Sequence, residues 1–200
     1  MKLIFSFFIV FSIFLNPYLV QADEIIFAGG CFWCMEHDLE SLDGVNFVKS
    51  GYSGGSILNP NYENHDGHQE VVLVDYDSEM VELDKLIRAY FRNIDPFDDE
   101  GQFCDRGNSY KPAIFFDGSL EKKVSELAIL NASKELKVSP DLIKVDLKPK
   151  SKFWVAENYH QDFAEKNELK YKFYRFTCGR DQRLDQVWGD NARTNRIWEE

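Results

Sequence analysis

Apolar and polar positions along the chain predict a single mixed domain. The run EIIFA ends at Gly29 and Gly30 and reads as a buried strand, and CFWCMEHDLESL then has apolar residues near helical spacing, up to Gly44. VNFVKSGYSGG alternates well enough for a second strand, and QEVVLVDYD predicts a third. Cys31 is therefore expected at the first strand-to-helix turn.

The next segments complete a recognisable order of elements. In MVELDKLIRAYFRN the apolar residues share one helix face, and AIFF predicts a fourth strand. Strand, helix, strand, strand, helix, strand is the split βαβ order (βαββαβ) of ferredoxin-like α+β domains. A helix over about 119–137, a short strand LIKVDL and an extended tail FWVAENYHQDFAEKNELKYKFYRF are expected to follow this core.

The first residues have the pattern of a secretory signal peptide. Lys2 precedes the apolar run LIFSFFIVFSIFL, and Val20 and Ala22 are the small residues that a signal peptidase reads. We expect cleavage after Ala22, export to the periplasm or medium, and one catalytic domain over residues 23–200. An uncleaved anchor is the alternative.

Charge and cysteine content limit the classes of function. The net charge of −11 argues against nucleic acid or an anionic membrane as the main partner. Four cysteines are too few to hold together a disulfide-rich mini-domain, although two structural disulfides are the default interpretation for an exported chain.

Chemistry is expected around Cys31. A cysteine at the first turn of a helix faces unpaired N–H groups and the positive end of the helix dipole, which favour its thiolate. Phe32 and Trp33 cannot both face one core, so at least one is expected to line a cavity beside the sulfur. The long loops around Tyr62 and Cys104 are expected near the same place, because such loops usually serve a site.

Five blocks of sequence carry a specific resemblance. GGCFWCMEHDLESLDGV, GYSGG, NPNYENHDGHQEVVLVDYD, CDRGNSYKPAIF and AENYHQDF resemble, in order, the A-type peptide methionine sulfoxide reductases. The resemblance implies reduction of the S epimer of methionine sulfoxide, free or in proteins, and hence repair of oxidised proteins. It implies that Cys31 attacks the sulfoxide sulfur while Phe32 and Trp33 hold the methyl group.

The resemblance also implies roles for polar residues of the two loops. Glu70 matches the acid that protonates the departing oxygen, Tyr62 and Tyr110 match the phenols that bond to it, and Asp105 matches an acid that orders the pocket. Reduction of a sulfoxide does require a proton donor, and partial burial would raise the pKa of Glu70 toward neutrality. An exposed carboxylate at a strand end is the alternative for Glu70.

The thiol that resolves the sulfenic acid of Cys31 is left open. Cys178 is the first candidate, because many relatives keep a resolving cysteine on a mobile C-terminal segment. Cys34 follows, since it forms a CxxC at a helix start where many relatives have glycine, although it could simply pack inward. Cys104, beside Asp105, is the third.

The expected cycle needs no prosthetic cofactor and no metal. A thioredoxin-like dithiol would reduce the enzyme, and we expect a monomer without stable membrane association after cleavage of the signal. His65 and His68 lack a convincing third metal ligand, while His37 and His160 are expected to be ordinary helix residues. The competing hypotheses are a thioredoxin-like CxxC oxidoreductase and a non-enzymatic module whose cysteines bind zinc or form two bridges.

Overall fold

A computed structural model describes residues 22–194, which form a twisted sheet covered by helices. The strands are β1 (Ala22–Ala28), β2 (Val45–Ser53), β3 (Gln69–Asp77), β4 (Gly101–Gln102), β5 (Asp105–Arg106), β6 (Ala113–Phe116), β7 (Asp146–Pro149) and β8 (Trp154–Val155). The α-helices are α1 (Phe32–Glu40), α2 (Leu83–Phe91), α3 (Gly118–Leu136), α4 (Phe163–Lys166), α5 (Glu168–Thr177) and α6 (Arg180–Trp188). The expected signal peptide lies outside the described residues.

The main sheet has the strand order β7-β6-β1-β3-β2-β8. Its four inner strands, β6-β1-β3-β2, are antiparallel to their neighbours, and helices α1 and α2 provide the crossovers. The ferredoxin-like split βαβ core is therefore confirmed. β7 adds to β6 in parallel and β8 adds to β2 antiparallel, so the core is extended at both edges.

Both faces of the sheet are buried, which explains the continuous apolar run of β3. One face packs against the helices through residues such as Phe27, Val72 and Leu86. The other face carries a smaller cluster that includes Ile26 and Leu73. A central strand covered on both sides reads as an unbroken apolar run rather than an alternating one.

The C-terminal segment differs from the extended tail expected from the sequence. It folds into α4, α5 and α6, and the predicted helix residue His160 lies in the turn before α4. Trp188 on α6 is buried and donates its indole N–H to the carbonyl oxygen of Ile94 at 2.9 Å. These short helices are stabilised mainly by tertiary packing. The aromatic and basic residues of the segment do not form a periodic pattern from which the helices could be predicted.

Arg180 joins this C-terminal segment to the turn that follows β1. Its guanidinium is 1% exposed and donates to the carbonyl oxygens of Gly29 at 3.3 Å and Asn93 at 2.6 Å. It also contacts the sulfur of Met35 at 3.1 Å and lies over the ring of Phe103. A buried cation requires such partners, so α6 is fixed against the Cys31 turn.

No helix in the described part of the chain, residues 22–194, is long and apolar enough to cross a membrane.

Candidate active site

Cys31 lies in the turn between β1 and α1, where it occupies the N-cap position of the helix. Gly30 before it has a φ of +83°, and a Cβ there would lie 2.6 Å from Cβ of Gln102. Only glycine accepts both that backbone conformation and that contact. The turn therefore holds Cys31, which is 6% exposed as a residue, at the base of a small cavity.

The cavity brings together the residues expected from the sequence. Its volume is about 50 Å³, and it is lined by Cys31, Phe32, Trp33, Tyr62, Glu70, Asp105, Tyr110 and Tyr174. Tyr174 alone among these residues was not expected from the sequence. Pockets for drug-sized ligands measure roughly 300–1,000 Å³, so this cavity suits a single small group such as the end of a side chain.

The sheet register explains why these residues meet at one edge. β1 ends at Ala28, beside Ala113 at the start of β6, and Phe27 pairs with Val72 near the start of β3. Segments after β1, at the start of β3 and before β6 therefore lie next to one another. That arrangement accounts for the positions of Cys31, Glu70 and Tyr110.

Glu70 is buried rather than exposed. It is 3% exposed, and its Oε2 accepts a hydrogen bond from the backbone N–H of Phe32 at 3.1 Å. Burial raises the pKa of Glu70 to about 8, although the Phe32 N–H opposes that rise. A carboxyl group of this kind is protonated near neutral pH and can donate a proton.

Tyr62 and Tyr110 come from the two long loops. Burial raises the pKa of both phenols, which stay protonated and can donate hydrogen bonds into the cavity. The Tyr62 loop is fixed by the carboxylate of Glu157. This group accepts hydrogen bonds from the backbone N–H of Tyr62 at 2.9 Å and from the hydroxyl of Tyr52 at 3.1 Å. The expectation that both loops approach Cys31 is confirmed.

Asp105 and Tyr174 form a pair at the cavity wall. The Tyr174 hydroxyl donates to Oδ2 of Asp105 at 2.6 Å, and Tyr174 also meets the Trp33 ring edge-on. Burial raises the pKa of Asp105, although the Tyr174 bond opposes the rise. Tyr174 lies on α5, so the C-terminal helices complete the cavity. No local pattern of residues pointed to Tyr174, because its place in the cavity depends on those helices.

Phe32 and Trp33 both reach the cavity, and His160 fixes the indole. Trp33 Nε1–H donates to Nδ1 of His160 at 2.9 Å, while Phe163 stacks on the indole at a centroid distance of 3.7 Å. His160 is 1% exposed, and burial lowers its pKa, which keeps the ring neutral and able to accept. Its place in the AENYHQDF block was the available signal for this positioning role.

Cys34 lies one helical turn beyond Cys31, and both sulfurs are free and buried. Burial raises the pKa of Cys31 well above its ordinary value. A hydrogen bond from the Cys31 thiol lowers the pKa of Cys34, with help from the positive charges of Arg180 and Arg175. Burial thus opposes the effect of the helix dipole, which was expected to favour the Cys31 thiolate.

Cys104 and Cys178 are joined in a disulfide, with their Cα atoms 4.9 Å apart. Cys178 lies at the end of α5 rather than on an extended tail, and two of the three candidate resolving thiols are thus bonded to each other. This is one disulfide rather than the two of the default interpretation.

The described residues contain one cluster with the spacing of a metal site, formed by Cys104, Asp105 and Cys178. Its two sulfurs are oxidised to the disulfide, which removes the thiolates that a metal would bind. His65 and His68 hold their own loop instead, through contacts with the carbonyl oxygens of Asn61 and Ile57.

Comparison with known proteins gives a consistent result. The sequence profile of the family described as "Peptide methionine sulfoxide reductase" matches residues 23–192. A Caulobacter vibrioides protein named peptide methionine sulfoxide reductase MsrA 2 is 45% identical over 173 residues, which cover 84% of this chain and 87% of the relative. The Rhizobium meliloti protein of that name is 39% identical over 96% of both chains. Methionine sulfoxide reductase A of Corynebacterium diphtheriae has a similar structure, with a TM-score of 0.68 and 26% identity over 78% of each chain.

The burial of Glu70 has a consequence for stability that Glu70→Gln tests. The folded protein keeps this proton up to about pH 8, whereas an unperturbed glutamate loses it near 4.5. The unfolded state therefore binds fewer protons between these values, and wild-type stability falls as pH rises, by up to about 1.4 kcal/mol per unit. The uncharged Gln avoids this loss. The free energy of unfolding of Glu70→Gln, relative to that of wild type, should therefore rise from pH 5 to pH 8.

Urea unfolding at several pH values measures this difference, with the exposed Glu79→Gln as the matched control. A difference between Glu70→Gln and wild type that does not change with pH would mean that the folded protein ionises Glu70 normally.

Proposed function

Since the chain belongs to the peptide methionine sulfoxide reductase family, which reduces methionine sulfoxide to methionine, we propose that Cys31 is the thiol that attacks the sulfoxide sulfur. The observation that carries the assignment is the cavity of about 50 Å³ in which this sulfur meets a buried acid and two phenols. The substrate is the S epimer of methionine sulfoxide, free or in a protein chain.

The sulfoxide oxygen lies toward Glu70, Tyr62 and Tyr110 in this proposal. The oxygen gains negative charge as the sulfur of Cys31 adds, and preorganised donors stabilise such charge most effectively in a site that excludes water. Glu70 supplies the proton, which its raised pKa makes available at neutral pH. Asp105, held by Tyr174, orders the wall of the cavity opposite.

The methyl group of the substrate lies against Phe32 and Trp33. The Trp33 ring is held between Phe163 and the hydrogen bond to His160, so its position is fixed before substrate arrives. A rigid apolar surface of this size favours one arrangement of methyl, oxygen and side chain around the sulfur. This supports selection of one epimer.

As the sulfur of Cys31 adds, Glu70 protonates the sulfoxide oxygen, and the proton that Cys31 releases returns to the Glu70 carboxylate. The sulfoxide oxygen passes to Cys31, which becomes a sulfenic acid, while the substrate leaves as the thioether. The thiol is oxidised and the sulfoxide is reduced, so the step balances without a cofactor.

An assay with resolved epimers tests the function. The protein, given dithiothreitol, should reduce the S epimer of a methionine sulfoxide derivative and leave the R epimer unchanged. Cys31→Ser should form no methionine even in a single turnover, and Glu70→Gln should lower that rate about 100-fold or more. Glu79→Gln is the control for the second variant. Methionine formation by Cys31→Ser would reject Cys31 as the nucleophile.

Cys34, rather than Cys178, resolves the sulfenic acid in our proposal. Cys104 and Cys178 are already bonded to each other, whereas Cys34 is free and lies beside Cys31. Condensation of the sulfenic acid with the Cys34 thiol gives a Cys31–Cys34 disulfide and one water molecule. A CxxC pair at a helix start is an arrangement in which reversible disulfides form readily.

Mass spectrometry after one turnover without reductant tests this assignment. The wild-type protein should contain a new Cys31–Cys34 disulfide and an unchanged Cys104–Cys178 disulfide. Cys34→Ser should form one equivalent of methionine and then retain a sulfenic acid that reacts with dimedone. A disulfide from Cys31 to Cys178 or Cys104 in the wild-type protein would overturn the proposal.

The reductant of the cycle is a thioredoxin-like dithiol protein, and no prosthetic group takes part. We also propose that residues 1–22 are a signal peptide, that residues 23–200 form one catalytic domain, and that the enzyme repairs exported proteins. The basic residue followed by the apolar run in the first 22 residues supports export.

Expression in a bacterium with a Sec pathway tests export. We expect the protein in the periplasm or medium, with Asp23 as its first residue by intact mass. Cytoplasmic protein that retains Met1 would contradict the signal peptide.

A further inference from the structure

Two buried arginines lie on the side of α1 that carries Cys34. Arg175 on α5 and Arg180 on α6 both reach Asp38 on α1. Nη1 of Arg175 lies 2.7 Å from Oδ1 of Asp38, and Nε of Arg180 lies 3.7 Å from Oδ2. Because Asp38 is four residues after Cys34, its carboxylate and the sulfur share one face of the helix. The C-terminal helices thus bring two guanidinium groups to that face.

Tyr171 connects Arg175 to the surroundings of the Cys34 sulfur. Cys34 packs in a small buried cluster with Tyr171, whose hydroxyl accepts a hydrogen bond from Nη1 of Arg175 at 2.7 Å. On its outer side, Arg175 binds the half-exposed side chain of Asp181 at 2.8 Å. Arg175 therefore extends from the Cys34 cluster toward the surface, and its position is fixed on both sides.

The charged groups that face Cys34 in the described part of the chain have a net positive charge. Apart from Cys31, the titratable groups that face it are Asp38, Glu70, Tyr171, Tyr174, Arg175 and Arg180. Glu70 is protonated near neutral pH, and burial raises the pKa of both phenols, which stay neutral. Two guanidinium groups and one carboxylate remain, and together they favour a thiolate at Cys34.

The two arginines become more important once Cys31 is oxidised. In the free protein the hydrogen bond from the Cys31 thiol lowers the pKa of Cys34 most strongly, while burial raises it. Reaction with substrate converts the Cys31 thiol to a sulfenic acid, which removes the hydrogen bond that this thiol donates. The positive charges of Arg180 and Arg175 then remain to favour the Cys34 thiolate against burial.

We propose that Arg175 and Arg180, held in place by Asp38, are positioning residues that keep Cys34 nucleophilic toward the sulfenic acid of Cys31. This inference rests on the proposed function and adds the groups that activate the second thiol. The Cys34 sulfur bonds to the Cys31 sulfur while the S–O bond of the sulfenic acid breaks. The departing hydroxide takes up one proton, equal to the one that Cys34 gives up, and forms water.

Neutralising either member of the Asp38–Arg175 pair tests the inference, because the two changes act on Cys34 in opposite directions. Arg175→Gln removes a positive charge and should raise the pKa of Cys34, whereas Asp38→Asn removes a negative charge and should lower it. Both substitutions break the same buried ion pair, so a purely structural role predicts the same effect for both. The direction of the change therefore separates electrostatic activation from structural support.

Competition between dimedone and Cys34 for the sulfenic acid measures the reactivity of Cys34. The intact protein receives one equivalent of the S epimer and a fixed concentration of dimedone, without reductant, and mass spectrometry compares the Cys31 adduct with the Cys31–Cys34 disulfide. The ratio of adduct to disulfide should fall as pH rises through the pKa of Cys34, since the thiolate is the nucleophile. The midpoint of that fall should move up by about one pH unit in Arg175→Gln and down by about one in Asp38→Asn.

Two further variants serve as controls. Lys170→Gln removes a positive charge from the exposed side of the same helix and should leave the midpoint at the wild-type value. Arg175→Lys retains the charge, so its midpoint should lie closer to wild type than that of Arg175→Gln. Methionine formation in a single turnover shows that a variant is folded, and each of the two test variants has its own expected direction, so either one alone tests the inference.

Midpoints that stay at the wild-type value, or that move in the same direction in Arg175→Gln and Asp38→Asn, would overturn the role of the two arginines. Failure of the proposed function gives a different result. Wild-type protein that forms no methionine, or that forms methionine without a Cys31–Cys34 disulfide, would reject the proposed function itself.

Discussion

The site depends on one hydrogen bond, from the backbone N–H of Phe32 to the carboxyl group of Glu70. It joins the first turn of α1, which carries the nucleophile, to the start of β3, which carries the acid. The N–H is one that the helix itself leaves unpaired, and the carboxyl group is one that burial would otherwise leave without a partner. Because each group satisfies the other, the acid stays beside the Cys31 turn, where burial raises its pKa to about 8 against the opposing effect of this bond.

The elements of this site that could be predicted from the sequence are those marked by a pattern of neighbouring residues. The apolar run of β3, the glycines before Cys31 and the amphipathic α2 are patterns of neighbouring residues, and each led to the right element. Their order then determined the antiparallel register that gathers Cys31, Glu70 and Tyr110 at one edge. Tyr174 and Arg180 were not predictable in the same way, because their roles depend on helices α5 and α6 packing against an edge more than 60 residues earlier in the chain.

The four cysteines show most clearly which contacts can be predicted from neighbouring residues and which require the tertiary structure. The CxxC spacing suggested that Cys31 and Cys34 could interact, and their hydrogen bond agrees with that suggestion. Pairing of Cys104 with Cys178 required knowledge of where α5 ends, since four cysteines allow three connectivities. Burial raises the pKa of Cys31 and so opposes the helix dipole, and sequence position does not give burial.

The Cys104–Cys178 bond spans 74 residues and ties the loop of Asp105 to the helix of Tyr174, which also meet through their own hydrogen bond across the cavity. A cross-link of that span lowers the entropy of the unfolded chain enough to stabilise the fold by about 4 kcal/mol. A reductant that opens this bond removes that stabilisation, and the protein regains it only when the pair is oxidised again. The resistance of the protein to proteases would thus be lowest when reducing power is most abundant.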